Sequence, residues 1–303
     1  MKGIISSCGI NLGYQIDDSL SSCLDAEFLE KYIPDMKMER DEEGSLDYLI
    51  KVKYNNERAF IHGREESIVN IDNLVKDDFM ALVSRTLESL LFMKGYFSIH
   101  SAALQDKEGT VIFSGRPRVG KTTSVFGVLE KNPNLSYFSG DRTVIDEMDA
   151  IAGTKSVSFR VGSLLYELKK LNYLRGFSDE EKKHPWNYSV PVVPEDIGLK
   201  RSEERKPVKC IIFPNKIDVP LSVKQLSPES VFTRVTNQSF FFLEEFPRML
   251  MALRQIIPTI CSYEEMNNIL PKIEKLVNSV PIFEISGKLE DIANWVDDEI
   301  IAQ

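Results

Sequence analysis

Between Phe113 and Thr123 the chain reads FSGRPRVGKTT. Gly115 is followed by Arg116, Pro117, Arg118 and Val119, and then by Gly120, Lys121, Thr122 and Thr123. Each residue type at that spacing has a physical use. Glycines let the backbone fold closely around an anion, with successive N–H groups pointing inward. A helix opening at Lys121 would aim its positive N-terminal end at the same place. A lysine reaches the outer phosphates of a nucleotide, and a threonine hydroxyl helps to hold Mg²⁺. The pattern predicts a nucleoside-phosphate loop over residues 115–123, with ATP as ligand (ADP or GTP as alternatives) and Thr122 as a Mg²⁺ contact. Arg116 and Arg118 would add charge near the phosphates, contact a second substrate, or face solvent. Pro117 stiffens the loop and brings no N–H.

Phosphoryl transfer also calls for a carboxylate, to hold metal or to take a proton from the attacking group. Asp141, in SGDR, lies twenty positions after Lys121, just past a short apolar run, LSYF. If LSYF forms a strand beside TVIF, Asp141 emerges at the same carboxyl edge of the sheet as the loop, where open α/β sheets bind ligands. Asp141 is then a base or a second metal contact; otherwise it is an ordinary turn residue. Arg142 would neutralise transferred charge, and Asp146 is a second, weaker acidic candidate.

The elements that must position these residues follow from periodicity. The first seventy or so residues combine β-rich runs (SLDYLIKVKY, RAFIHG, IVNID) with a short helix at DAEFLEKYI. DDFMALVSRTLESLLFMKG then changes period: Phe79, Val83, Thr86, Leu87, Leu90 and Met93 share one helical face, and Gly95 is a fitting stop. A domain boundary is expected near Leu74, giving a small α+β N-terminal region (1–74) and a nucleotide-binding domain (75–303). In the second part we expect strands at YFSIHSAAL, TVIF, LSYF, TVID, VKCIIF and VPIFEI. Helices are expected at KTTSVFGVLEK, Pro228–Asn237, Glu244–Gln255 and Tyr263–Val277, with another from about Leu289. GFSDEEKKHPWN and KRSEERKP are charged stretches, either solvated connections or mobile parts of a substrate site.

In this order of elements the chain resembles the C-terminal catalytic domain of HPr kinase/phosphorylase and its related kinases, which share a distant architecture with phosphoenolpyruvate carboxykinase. The resemblance rests on FSIHSAAL with His100, on Gly115, Gly120, Lys121 and Thr122, and on Asp141-Arg142, and it is close from about Tyr96 to Ile145. It implies an α/β fold of the P-loop kinase type, a mixed sheet with flanking helices. It also implies a catalytic set of Lys121, Asp141 and His100. His100 would assist near the phosphates or serve as a hydrogen-bonded core residue. The chain departs from the family at one place. Where the family usually has two aspartates, this sequence has Gly140-Asp141, so metal handling and proton abstraction both fall on Asp141 or on a residue elsewhere.

Three functions are therefore carried forward. The first is an ATP-dependent kinase acting on a hydroxyl of a protein, peptide or small molecule. The second is a nucleotide-binding module without transfer chemistry. The third, raised by Asn215-Lys216-x-Asp218 after an apolar strand, is a GTP-hydrolysing switch; the alternative for that motif is a plain turn. With 303 residues and a net charge of −9, the chain lacks the basic footprint of a nucleic-acid binder. Cys8, Cys23, Cys210 and Cys261 fall at no metal-ligand spacing, and His62, His100 and His184 are scattered, so neither a disulfide framework nor a zinc site is expected. The N-terminus has no signal-peptide core. The apolar stretch Phe240–Ile260 is broken by Glu244, Glu245, Pro247, Arg248 and Arg254, so it reads as a core-facing helix in preference to a membrane span or a partner-binding helix. A cytoplasmic protein is expected, with homo-oligomerisation compatible with it.

Overall fold

The computed structural model describes residues 1–40, 44–167, 176–216, 219–244, 249–250, 253 and 255–302. The chain divides into two compact units, Met1–Ser98 with Phe240–Leu270, and Ile99–Ser239 with Pro271–Gln303. The architecture is mixed α/β, with mixed sheets and flanking helices. No helix among the described residues is long and apolar enough to cross a membrane.

The first unit opens with β1 (Lys2–Ser7), β2 (Ile10–Ile16), α1 (Ala26–Tyr32), β3 (Lys37–Arg40), β4 (Tyr48–Tyr54), β5 (Ala59–His62), β6 (Glu66–Ile71) and α2 (Lys76–Met93). Its six strands lie in the order β3-β1-β2-β4-β6-β5. The central pairs β2–β4 and β4–β6 are parallel. The sequence boundary at Leu74 thus falls inside this unit, where β6 hands over to α2. The face expected for α2 is too narrow, because the helix is buried all round from Ala81 to Phe92 while Met93 is 37% exposed. Its buried Glu88 accepts a hydrogen bond at Oε2 from Ser98 Oγ at 3.0 Å. The helix ends as Gly95 predicts. Gly95 takes φ +80°, its N–H reaches Phe92 O at 2.9 Å, and Tyr96 N–H reaches Leu91 O at 2.9 Å. That pair of bonds closes the last turn and starts the next strand.

The second unit is built from β7 (Phe97–Gln105), β8 (Thr110–Ser114), α3 (Lys121–Lys131), β9 (Ser136–Ser139), β10 (Arg142–Asp146), β11 (Asp149–Gly153), β12 (Val157–Arg160), α4 (Asp179–Lys183), β13 (Ser189–Val192), β14 (Lys206–Lys216), β15 (Ser222–Gln225) and α5 (Pro228–Glu244). The segment Phe240–Leu270 belongs to the first unit and holds the end of α5, the short β16 (Met249–Leu250) and β17 (Gln255–Ile256), and α6 (Tyr263–Asn267); the second unit resumes with α7 (Leu270–Ser279), β18 (Ile282–Ser286) and α8 (Leu289–Val296). The main sheet runs β11-β10-β7-β8-β14-β18-β15, with β9 also on β7. β11 pairs with the start of β14 as well, so β7, β8, β14, β11 and β10 close on themselves. Every residue of β7 is buried, which is why its sequence is a run of small and apolar residues rather than an alternation.

Several expectations are corrected. LSYF does not pair with TVIF, because β7 lies between them. In place of a helix over Glu244–Gln255, Met249–Leu250 and Gln255–Ile256 pair as antiparallel strands; the remainder of that stretch lies mostly outside the described residues. Tyr263–Val277 is two helices, and Pro271, which lacks an N–H, sits in the first turn of the second. KRSEERKP is not simply solvated: Tyr137 N–H bonds Lys200 O and Ser202 N–H bonds Tyr137 O, both at 2.8 Å, and Lys206-Pro207 already belong to β14. Substituting Gly95 by Ala forces a Cβ into the left-handed region. It should cost about 1 kcal/mol, read as a lower urea midpoint; an unchanged midpoint would contradict the role given to this turn.

Candidate functional site

The site begins with β7, which pairs antiparallel with β8 on one side and with β9 on the other. Two antiparallel pairings make β8 and β9 run the same way, so both finish at one edge. The register fixes where. Ser101 of β7 faces Ser114, the last residue of β8, and Ser101 N–H donates to Asp141 O at 3.0 Å on the opposite side. Gly115 and Asp141 thus leave the sheet on either side of one β7 residue. The edge expected from sequence is reached, although the strands are not neighbours. Asp146, at the far end of β10, pairs with Arg205 Nη1 at 3.0 Å and does not join this edge.

Beyond β8 the chain forms a tight loop. Gly115, Arg118 and Gly120 have φ of +139°, +68° and +95°. Glycine tolerates such values, whereas Arg118 is held there against its own side chain. The loop leads directly into α3, whose first hydrogen bond is Ser124 N–H to Gly120 O at 2.9 Å. The amides of the first turn point out of the helix end toward the loop. Arg116, Pro117 and Arg118 are exposed, while Val119, Gly120 and Thr122 are half-buried and Thr123 is buried. Lys121 is only 7% exposed. Its Nζ donates to Gly115 O at 2.9 Å and Arg116 O at 3.2 Å, so it lies inside the arch of the loop. α3 is anchored below by Phe126, whose ring meets Phe159 at 4.6 Å and Tyr137 at 5.7 Å, both edge-on.

Across the edge, His100 Nε2 lies 3.2 Å from Asp141 Oδ1. His100 is buried, and the Asp141 side chain is half-exposed. Loss of hydration on partial burial pushes the Asp141 carboxyl up. The His100 hydrogen bond and the positive charges of Lys121 and Arg142 outweigh it, leaving the carboxyl below its usual range. Burial pushes Lys121 down to about 8, and the Asp141 charge opposes it. Lys121, His100 and Arg142 therefore all bear on the Asp141 carboxylate. Thr122 is at the same edge and supplies a hydroxyl. Among the described residues no group of three or more His, Cys, Asp or Glu side chains is placed to hold a metal ion. One carboxylate and one hydroxyl suit a hard cation that takes its other oxygens from phosphate and water.

The bend carrying Asp141 explains Gly140. A Cβ at position 140 would lie 2.4 Å from Tyr137 Oη, 2.5 Å from Ser156 O and 2.6 Å from Val157 Cβ. A second aspartate there has no room. Sequence reasoning missed the residues that shape this bend, Tyr137, Ser139 and Thr154, because their types alone announce nothing. Asn215 is an exposed residue of β14 at a break in its pairing with β18. Ile217 and Asp218 of the NKID motif lie outside the described residues.

Two clefts elsewhere, of about 180 Å³ around Gly3, Tyr14 and Leu49 and of about 220 Å³ around Leu221, Trp295 and Asp298, contain no residue of this edge. A phosphate loop made of backbone amides is shallow by construction, so cleft size does not mark it. No protein-family model matches the chain, and no curated protein matches it.

Two outcomes follow. Gly140→Ala should already destabilise the protein by about 1–3 kcal/mol through overpacking, and Gly140→Asp by more; wild-type urea midpoints would contradict the wall described here. For Lys121, the folded group binds its proton less tightly than the unfolded one. Between pH 8 and the usual lysine range the unfolded chain therefore holds more protons. The stability of wild type relative to Lys121→Met should rise with pH across that window. A flat difference would contradict the buried position of Lys121.

Proposed function

We propose that the protein is an ATP-dependent phosphotransferase that delivers a phosphoryl group to a hydroxyl of a protein, a peptide or a small molecule. The observation that carries the reading is the meeting, at one sheet edge, of a phosphate-type loop with a buried lysine and a carboxylate held by His100. Bound Mg²⁺-ATP would supply the transferable group and the divalent charge that balances it. The loop amides and the N-terminal end of α3 would bind the phosphate oxygens. Lys121 would leave the loop carbonyls for the outer phosphates, and Thr122 would contact the cation. Asp141 would orient the acceptor hydroxyl and take its proton or share in holding the cation, and its depressed pKa keeps it ionised for either task. His100 would fix the carboxylate, and Arg142 would balance charge as the phosphoryl group moves. The likeness of FSIHSAAL, the loop and Asp141-Arg142 to HPr kinase/phosphorylase relatives supports the same chemistry.

A second reading, a nucleotide-binding module without transfer, is favoured by the packing around Gly140, which leaves Asp141 to do two jobs. Release of labelled phosphate from γ-labelled ATP, with Mg²⁺ and water as the default acceptor, separates the two. Wild type should turn over slowly, and Lys121→Ala and Asp141→Asn should each lose about 100-fold. Equal rates in all three would remove the kinase assignment. Mg²⁺-ATP binding without any turnover would select the binding module.

A further inference from the structure

Three consecutive backbone N–H groups, of Gly140, Asp141 and Arg142, converge on one oxygen. That oxygen is Thr154 Oγ1, at 3.3, 2.9 and 3.3 Å respectively. Amides converging in this way form a nest of the kind that binds anions. Here the chain fills it with a hydroxyl that is itself almost fully buried.

The protons can be counted. Ser139 Oγ donates to Arg142 O at 2.6 Å, so its single proton is used. Its 3.5 Å contact with Thr154 Oγ1 must then have the threonine as donor. The threonine proton points away from the amides, and the lone pairs of Oγ1 face them. Nor can Thr154 retreat. Its N–H bonds Arg142 O at 3.1 Å, and its C=O accepts from Tyr137 Oη at 3.1 Å. Tyr137 is pinned in turn by its ring contact with Phe126. The bend is thus tied to the core through one side-chain oxygen.

We infer that Thr154 is a positioning residue of the candidate site, whose hydroxyl sets the Gly140–Arg142 bend and so holds the Asp141 carboxylate against His100 and toward the phosphate loop. Its consequence for turnover rests on the phosphotransferase reading; its consequence for the bend does not. Valine matches threonine in shape but offers no oxygen, whereas serine restores the oxygen.

The test uses the full chain as wild type, Thr154→Ser and Thr154→Val. Amide hydrogen exchange is followed without ligand, and phosphate release from Mg²⁺-ATP is followed in parallel. In wild type the amides of residues 140–142 should be protected like those of the neighbouring strands. In Thr154→Val they should exchange about tenfold faster or more, while β8 and β14 keep their protection. With that variant kcat should fall by a similar factor with KM for ATP little changed, because the loop is untouched. Thr154→Ser should stay near wild type in both. Loop-like exchange of the three amides in wild type would overturn the inference, and this needs no variant to fold. So would unchanged exchange in Thr154→Val, or equal damage by serine and valine. If wild type turns over no ATP, the phosphotransferase reading fails, and the exchange data alone decide the role of Thr154.

Discussion

The constraint on which the candidate site depends is the double antiparallel pairing of β7. A strand paired antiparallel on both sides makes its two neighbours co-directional, so whatever follows them emerges at one edge. Here those followers are the Gly115 loop and the Asp141 bend. β7 can sit between them because all its side chains are buried and small or apolar, or, like Ser101, bonded within the sheet. Ser101 Oγ donates to Ile99 O at 2.9 Å and is hydrogen-bonded to the Thr143 hydroxyl at 2.8 Å. β7 also contributes His100, so a single strand aligns both sides and supplies the link to Asp141.

The electrostatics follow from that alignment. The chain is acidic overall, with a net charge of −9, yet this edge gathers Lys121, Arg142 and His100 around one carboxylate. Lys121 bears a desolvation cost that lowers its pKa to about 8, a cost that an anion inside the loop would reverse. The Asp141 carboxylate is kept ionised by the same neighbours. Tyr137 and Gly140 set the limits of the arrangement. The buried hydroxyl of Tyr137 both bonds Thr154 and occupies the space a second side chain would need.

What could be read in the sequence was local. The loop was legible because glycine spacing, lysine and threonine each have a fixed use there. α3 matches the expected KTTSVFGVLEK over Lys121–Lys131, since its apolar period and its start coincide. The helical stop at Gly95 was legible for the same reason. What depended on distant pairing was not. Whether LSYF lies beside TVIF was not legible, since strand order carries no local mark, and β7 in fact separates them. Thr154 gave no signal, because its importance comes from three amides twelve to fourteen residues away. The stretch Glu244–Gln255 suggested a helix by composition, whereas α5 ends at Glu244 and Met249–Leu250 pairs with Gln255–Ile256 as strands. Asp146 shares a residue type with Asp141, but β10 carries it to the other end of the strand and to Arg205.

The central claim is that the Gly115–Thr123 loop is a working nucleotide-phosphate site. It is tested most directly by calorimetric titration of wild type and Lys121→Ala with ATP, ADP and GTP in the presence of Mg²⁺. The account predicts saturable adenine-nucleotide binding to wild type, with little or no heat from the folded variant. Absence of binding by any of the three nucleotides to folded wild type would contradict it, as would equal binding by the variant.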